Sequence, residues 1–378
     1  WNGEEMKQFT PKLFDVLKTS YSKEQLFKDI IAGIIVAIIA LPLSIALALA
    51  SGVRPEQGIY TAIFAGFVIS FLGGSRVQIA GPTAAFATIV AGIVAKNGMS
   101  GLVTATILAG IILIIMGIFK FGNLIRFIPY TITTGFTIGI AVTIFVGQIK
   151  DFLGLTFTTS PIETIDKVKA VGTFNYQALI VGMVSLLILF FLPKIKIFSK
   201  IPPSLIAVIV AVVMVKILKM DVKTIGDLYT ISSAFPKPAL PDLSYSAIIQ
   251  QIPNAFTIAI LAGIESLLSC VVSDGMIGSR HKPNMELIAQ GAGNIVSALF
   301  GGIPATGAIA RTAANVKNGG RSPIAGMVHA ITLLVILVVL MPYAAWIPMP
   351  AIAAILFIVA YNMSGWREFI SLIKDSPK

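Results

Sequence analysis

The sequence predicts an all-α polytopic membrane protein organised around two helices that begin in the middle of the bilayer. Three observations predict it. Of the 378 residues, 56% are hydrophobic and only 12% charged, and the mean hydropathy is +0.91, values that belong to helical membrane proteins rather than water-soluble globules. Apolar stretches long enough to cross a bilayer recur along the chain, parted by short charged or proline-bearing segments. One stretch in each half breaks that rhythm with glycine, proline and threonine and leads into an apolar helix too short to span.

The formal charge of +11 does not point to nucleic acid, because no basic run is interleaved with aromatic residues. The lysines flank apolar segments and read as solvated juxtamembrane charge. Cys270 is the single cysteine, which leaves no internal disulfide framework and no multi-cysteine metal site. No Ser/His pair, paired aspartates or metal cluster falls in the spans, so the chain is not read as an enzyme and no cofactor is expected.

In chain order, Trp1 to Asp29 is polar and reads as a cytoplasmic segment rather than a cleavable signal. Within it, Thr10 to Lys28, with Pro11 at its start, reads equally as a helix lying on the membrane surface or as a solvated tail. Ile30 to Ala50 is the first span, interrupted by Pro42, whose freed carbonyl needs a neighbouring helix, a hydroxyl such as Ser44, or a water-lined cavity. Ile59 to Leu72 returns. After Gly73-Gly74, an extended Val77 to Ala80 leads into a half-helix from Pro82 to Ala95, with Pro82 in its first turn. Further spans are Gly101 to Phe119, Thr131 to Gln148, Ala178 to Leu192 and Leu205 to Leu218. Residues 222–245, holding Pro236, Pro238 and Pro241, read as a polar extracellular loop between a first repeat at 30–221 and a second at 246–365. In the second repeat Ile248 to Val272 spans, Leu287 to Phe300 is short, and Gly301-Gly302 precedes another half-helix from Thr306 to Lys317. Pro323 to Leu340 and Ile352 to Met363 follow, and 366–378 reads as a cytoplasmic end. This makes about twelve helices, counting both half-helices. Lys and Arg are roughly twice as frequent in the segments on the N-terminal side as on the other, which places the N-terminus in the cytoplasm.

On these boundaries Glu265 and Arg311 are the only ionisable charges at membrane depth. Arginine there is unfavourable by roughly 2.5 to 3.5 kcal/mol on insertion scales. Two half-helices starting at mid-membrane would aim their free N–H groups and positive dipole ends into one space, which favours an anion, and Arg311 about one turn in would add full charge. The alternative reading of Arg311 is an ion pair with Glu265 that joins two helices. Glu265 itself reads equally as a proton carrier, a ligand for a coupling sodium ion, or a static partner of backbone N–H groups.

GVRPEQGIYTA at Gly52 to Ala62, GGSRVQIAGPTAAF at Gly73 to Phe86, AGIESLLSCVVSDGM at Ala262 to Met276 and GGIPATGAIARTAAN at Gly301 to Asn315 resemble the signature blocks of the sulfate permease (SulP) family, which includes the prestin and pendrin anion transporters. Among its members the chain is most similar to bacterial dicarboxylate transporters. The resemblance implies an inverted seven-plus-seven helix fold divided into core and gate domains, an elevator motion, and residence in the bacterial inner membrane as a homodimer. It implies secondary transport of a C4-dicarboxylate, sulfate or bicarbonate, with coupling to H⁺ or Na⁺ as an option. Carried over by position, the substrate site comprises Pro42, Leu43 and Leu47, then Thr83, Ala84 and Ala85, then Glu265, and Ala308, Ile309, Ala310 and Arg311. Two positions depart from the pattern. Leu43 stands where some relatives have an acidic or amide residue, and Ala310 where some have serine. The resemblance also implies two further helices and a STAS domain beyond Lys378, so the gate is expected to be incomplete here. The alternative from another class is an anion channel or voltage-responsive module without alternating access.

Overall fold

The computed structural model describes residues 7–124, 127, 130–156, 173–199 and 201–375, and they are mostly helical. The helices are α1 (Lys12–Lys18), α2 (Lys23–Ala50), α3 (Pro55–Leu72), α4 (Ala84–Ile118), α5 (Tyr130–Leu153), α6 (Tyr176–Phe191) and α7 (Pro203–Ile217). They continue as α8 (Ile225–Leu228), α9 (Tyr245–Ile277), α10 (Pro283–Leu299), α11 (Ile309–Lys317), α12 (Pro323–Leu340), α13 (Met349–Ser364) and α14 (Trp366–Asp375). Two two-residue strands, β1 (Ala80–Gly81) and β2 (Thr306–Gly307), interrupt them. Seven helical segments among the described residues are long and apolar enough to cross a membrane.

Thr10 to Lys28, where a surface helix is one of the two readings, is helical in two pieces. Ser22 stops the first and starts the second, its side chain accepting from Gln25 N at 3.1 Å as an N-cap. The third and fourth helical stretches, expected as separate, are two helices within α4 that meet at a kink: Gly98, at φ 68° and ψ −173°, leaves the helical path, a conformation that glycine adopts without strain. The loop at 222–245 is more ordered than its composition suggests, because it contains α8, Thr224 bridges Pro348, and Met349 N donates to Lys223 O at 2.8 Å. The outermost parts of the two terminal segments, residues 1–6 and 376–378, lie outside the described residues.

The elements form two compact units, each drawing on both halves of the sequence. One gathers α1 to α4 with α9 to α12, the other α5 to α8 with α13 and α14. In the first, α4 packs on α9 and α10, and α10 on α3. Phe86, Leu102, Ile258, Leu287 and Ile303 form its apolar centre. Where α4 crosses α10, Gly110 and Gly291 face each other so closely that a Cβ on either would stand 2.6 or 2.4 Å from the other's carbonyl oxygen. Without a water-driven force between helices in lipid, such close backbone approach is a main source of association. In the second unit α13 packs on α5 and α6, and α6 on α7.

Buried carboxylates do structural work that the sequence does not reveal. Asp29, fully buried, accepts through Oδ1 from Arg321 N, Gln25 Nε2 and Ser322 N, and through Oδ2 from Tyr21 and the Ser322 hydroxyl. It pins the start of α2 to the turn between α11 and α12. Burial, then the hydrogen bond to Asp29, raises the Tyr21 phenol above its ordinary range. Asp29→Ala leaves these donors without a partner and is expected to lower stability by about 3 kcal/mol. Asp29→Asn, which keeps the Oδ1 acceptor, is expected to lose less. Denaturant unfolding in detergent checks both, and an unchanged transition in Asp29→Ala would contradict the network's importance.

Candidate functional site

The two chain breaks meet. β1 and β2 pair antiparallel, with Ala80 opposite Gly307 and Gly81 opposite Thr306, so the starts of α4 and α11 are held beside one another. Ala308 N donates to Ile79 O at 2.9 Å, and Ile79 N donates to Thr312 Oγ1 at 3.0 Å.

Irregular backbone is tolerated at membrane depth only where protein or trapped water satisfies it. Asn294 donates to Ala305 O and accepts from Ala305 N, at 2.9 and 2.8 Å. Ser297 donates to Ile303 O, Thr61 accepts from Ile303 N, and Asn315 donates to Val77 O. Glu286, 1% exposed, accepts from Gly74 N, Ser75 N and Gln78 Nε2. Glu286 and Asp29 are thus buried acidic residues in addition to Glu265 and Arg311, the two charges expected at membrane depth. Each lies in a polar stretch at a helix start, where local sequence reads as solvated.

The half-helices start later than expected. Pro82 is not in the first turn of α4 but precedes its N-cap, Thr83, and α11 begins at Ile309 rather than Thr306 because Thr306 and Gly307 are committed to the strand pair. Neither N-cap, Thr83 nor Ala308, caps with its side chain. The leading N–H groups of both helices therefore lack an intrahelical acceptor. Thr83, Ala84, Ala308, Ile309 and Ala310 are partly or largely exposed at this edge, as are Leu43 and Glu265, whereas Pro42, Leu47 and Ala85 are buried.

Arg311 is the third residue of α11, not a full turn in, and is 2% exposed. Its Nη2 donates to Ser44 Oγ at 3.3 Å and to Pro82 O at 3.2 Å, while Nε and Nη1 find no protein acceptor. Glu265 does not pair with it. Oε2 of Glu265 instead accepts from Thr83 Oγ1 at 3.1 Å. The Ser44 hydroxyl, one of three candidate partners for the carbonyl freed by Pro42, accepts from the guanidinium. So the structure joins Arg311 to α2 and the chain before α4, and joins Glu265 to the N-cap of α4. It leaves Arg311 and the start of α11 without a carboxylate partner, while Glu265 stands at the start of α4. Chemically, such an arrangement can hold a small anion.

Ser44, Pro82, Gln78, Glu286 and Asn294 were not foreseen in these roles. The glycine, proline and threonine clusters that mark both breaks were the available signal that polar partners must exist nearby. Among the described residues no group of three or more His, Cys, Asp or Glu is placed to hold a metal ion.

The model of the sulfate permease family matches residues 26–378. YvdB of Bacillus subtilis is 42% identical over 363 residues, 94% of this chain and 68% of that one. The bicarbonate transporter BicA of Picosynechococcus is 32% identical over 371 residues, 93% of this chain and 64% of that one. The solved transmembrane domain of a cyanobacterial bicarbonate transporter BicA superposes with a TM-score of 0.84 at 28% identity, covering 95% of this chain and 92% of that one. The chain thus spans about two thirds of the length of the two curated relatives.

Gly81 tests the role of the guanidinium's position, because a Cβ there would stand 2.2 Å from Arg311 Nη1. Gly81→Ala is expected to displace the guanidinium and weaken anion binding about tenfold, the loss of roughly one charge-assisted hydrogen bond. Calorimetric titration with sulfate and bicarbonate checks it. Unchanged affinity would mean that the guanidinium can move without consequence.

Proposed function

The chain belongs to the sulfate permease family, and on that premise we propose that it is a secondary active transporter that moves a small oxyanion across the bacterial cell membrane. The substrate class is bicarbonate, sulfate or a C4-dicarboxylate. The observation that carries this reading is the buried Arg311 at the start of α11, with two nitrogen atoms that have no protein acceptor and no carboxylate paired to it. A planar carboxylate or bicarbonate suits a guanidinium fork, since two parallel N–H···O bonds match its geometry.

In this proposal the anion lies against the exposed starts of α4 and α11, at Thr83, Ala84, Ala308, Ile309 and Ala310, and Leu43 supplies an apolar wall. The unit holding both half-helices acts as the core and carries the anion in an elevator-type motion, and the other unit acts as part of the gate. Glu265, hydrogen-bonded to Thr83, takes a coupling proton or sodium ion. The N-terminus is cytoplasmic, and two copies assemble as a dimer.

Protein reconstituted in liposomes is expected to take up at least one of sulfate, bicarbonate, succinate or fumarate with saturation. Arg311→Ala should weaken apparent affinity by tenfold or more. Arg311→Lys should retain more if a point charge suffices, and nearly as little if the planar fork is required. Absence of saturable uptake of all four, in the full-length protein as well, would overturn the proposal. Net current at channel rates would favour a channel instead.

A further inference from the structure

We propose that the first unit carries a binding site for an anionic phospholipid, with its headgroup on Arg280 and its acyl chain along the end of α9. A cavity of about 400 Å³ opens at that end. Leu268 and Val271 form one wall and are 45% and 57% exposed, which in a membrane-spanning helix means contact with acyl chains. Gly122, Asn123, Arg280 and His281 form the other wall. An apolar wall and a polar, basic wall thus meet at the C-terminal end of a 33-residue helix, the level at which a lipid passes from tail to headgroup.

The charge on the polar wall is available. Asp274 is the one carboxylate lining the cavity, and its Oδ2 accepts from both the backbone N and Nδ1 of His281 at 2.7 Å. The Arg280 guanidinium is exposed and forms no hydrogen bond or ion pair among the described residues. Its carbonyl is fixed, because Lys12 Nζ donates to it at 3.0 Å, while Lys282 binds Thr10 O and Asp15. These contacts place the cavity at the same membrane face as the N-terminal segment and surround it with basic residues. Cytoplasmic leaflets carry negative lipids, and basic pockets beside spanning helices hold their headgroups. A guanidinium offers a phosphodiester two parallel donors, and the exposed apolar wall gives the diacyl part a place that a free anion would not need.

Native mass spectrometry of the purified protein, offered phosphatidylglycerol or phosphatidylcholine with the same acyl chains, tests the assignment. The parent protein is expected to retain phosphatidylglycerol over phosphatidylcholine by about fivefold. Arg280→Ala should remove that preference. Val271→Trp, which fills the apolar wall, should reduce retention, and Lys96→Ala, at the Gly98 kink, should change nothing. The three substituted positions, Arg280, Val271 and Lys96, are all exposed, and unchanged melting temperatures confirm intact folding. Equal retention of the two lipids, or a preference that survives Arg280→Ala, overturns the proposal. Displacement by inorganic phosphate with Val271→Trp unaffected would assign the cavity to a free anion and also overturns it. The readout involves no transport, so it is independent of the proposed substrate and motion.

Discussion

The structure of the first unit depends on satisfying backbone that is not helical where water is scarce. The two chain breaks expose N–H and C=O groups that would each be unfavourable by several kcal/mol if left bare in hydrocarbon. Pairing β1 with β2 satisfies some of them, and others fall to side chains on α3, α10 and α11. Asn294 and Glu286 each satisfy two backbone groups, and the Glu286 carboxylate also accepts from Gln78, which in turn binds Ser266. Such hydrogen bonding offsets the loss of hydration of a buried carboxylate. The polar residues of α10 therefore serve the breaks, and the breaks in turn allow two helices to begin in the interior.

The same constraint separates the two charges at the helix starts. Had Glu265 and Arg311 formed an ion pair, each would have engaged the other's hydrogen-bonding groups and left neither free for a ligand. Instead Thr83 engages Glu265, while Ser44 and Pro82 engage one nitrogen of Arg311. Neutral acceptors orient a guanidinium without cancelling its charge. The helix dipoles then add to the field instead of competing with it.

The fold class, the spans and both breaks were legible in the sequence because they rest on local signals: long apolar runs, and glycine and proline where none should interrupt. The half-helix starts were misplaced by two or three residues because Thr306 and Gly307 become strand only through a partner in the other half of the chain. The Arg311 position was legible from its apolar surroundings, but its partners were not. Ser44 and Pro82 lie far away in sequence, and nothing local distinguishes Ser44 from any other hydroxyl in a span. The burial of Glu286 is not legible locally, because HKPNMELIAQ, at His281 to Gln290, is polar enough for a loop. Burial of that residue is decided by Gly74 and Ser75, whose N–H groups need an acceptor.

An antiparallel pair of strands has a local two-fold axis, and here that axis relates the break in one half of the chain to the break in the other. Helix positions on either side can be matched: the first, second and third residues are Ala84, Ala85 and Phe86 in α4, and Ile309, Ala310 and Arg311 in α11. Both third residues are fully buried or nearly so. The pseudosymmetric frame thus accepts an uncharged aromatic ring at one site and a guanidinium at its mate. Packing alone does not demand a charge at that position, and the asymmetry between Phe86 and Arg311 divides labour between two related helices, one anchoring in the apolar centre and the other carrying the electrostatic role.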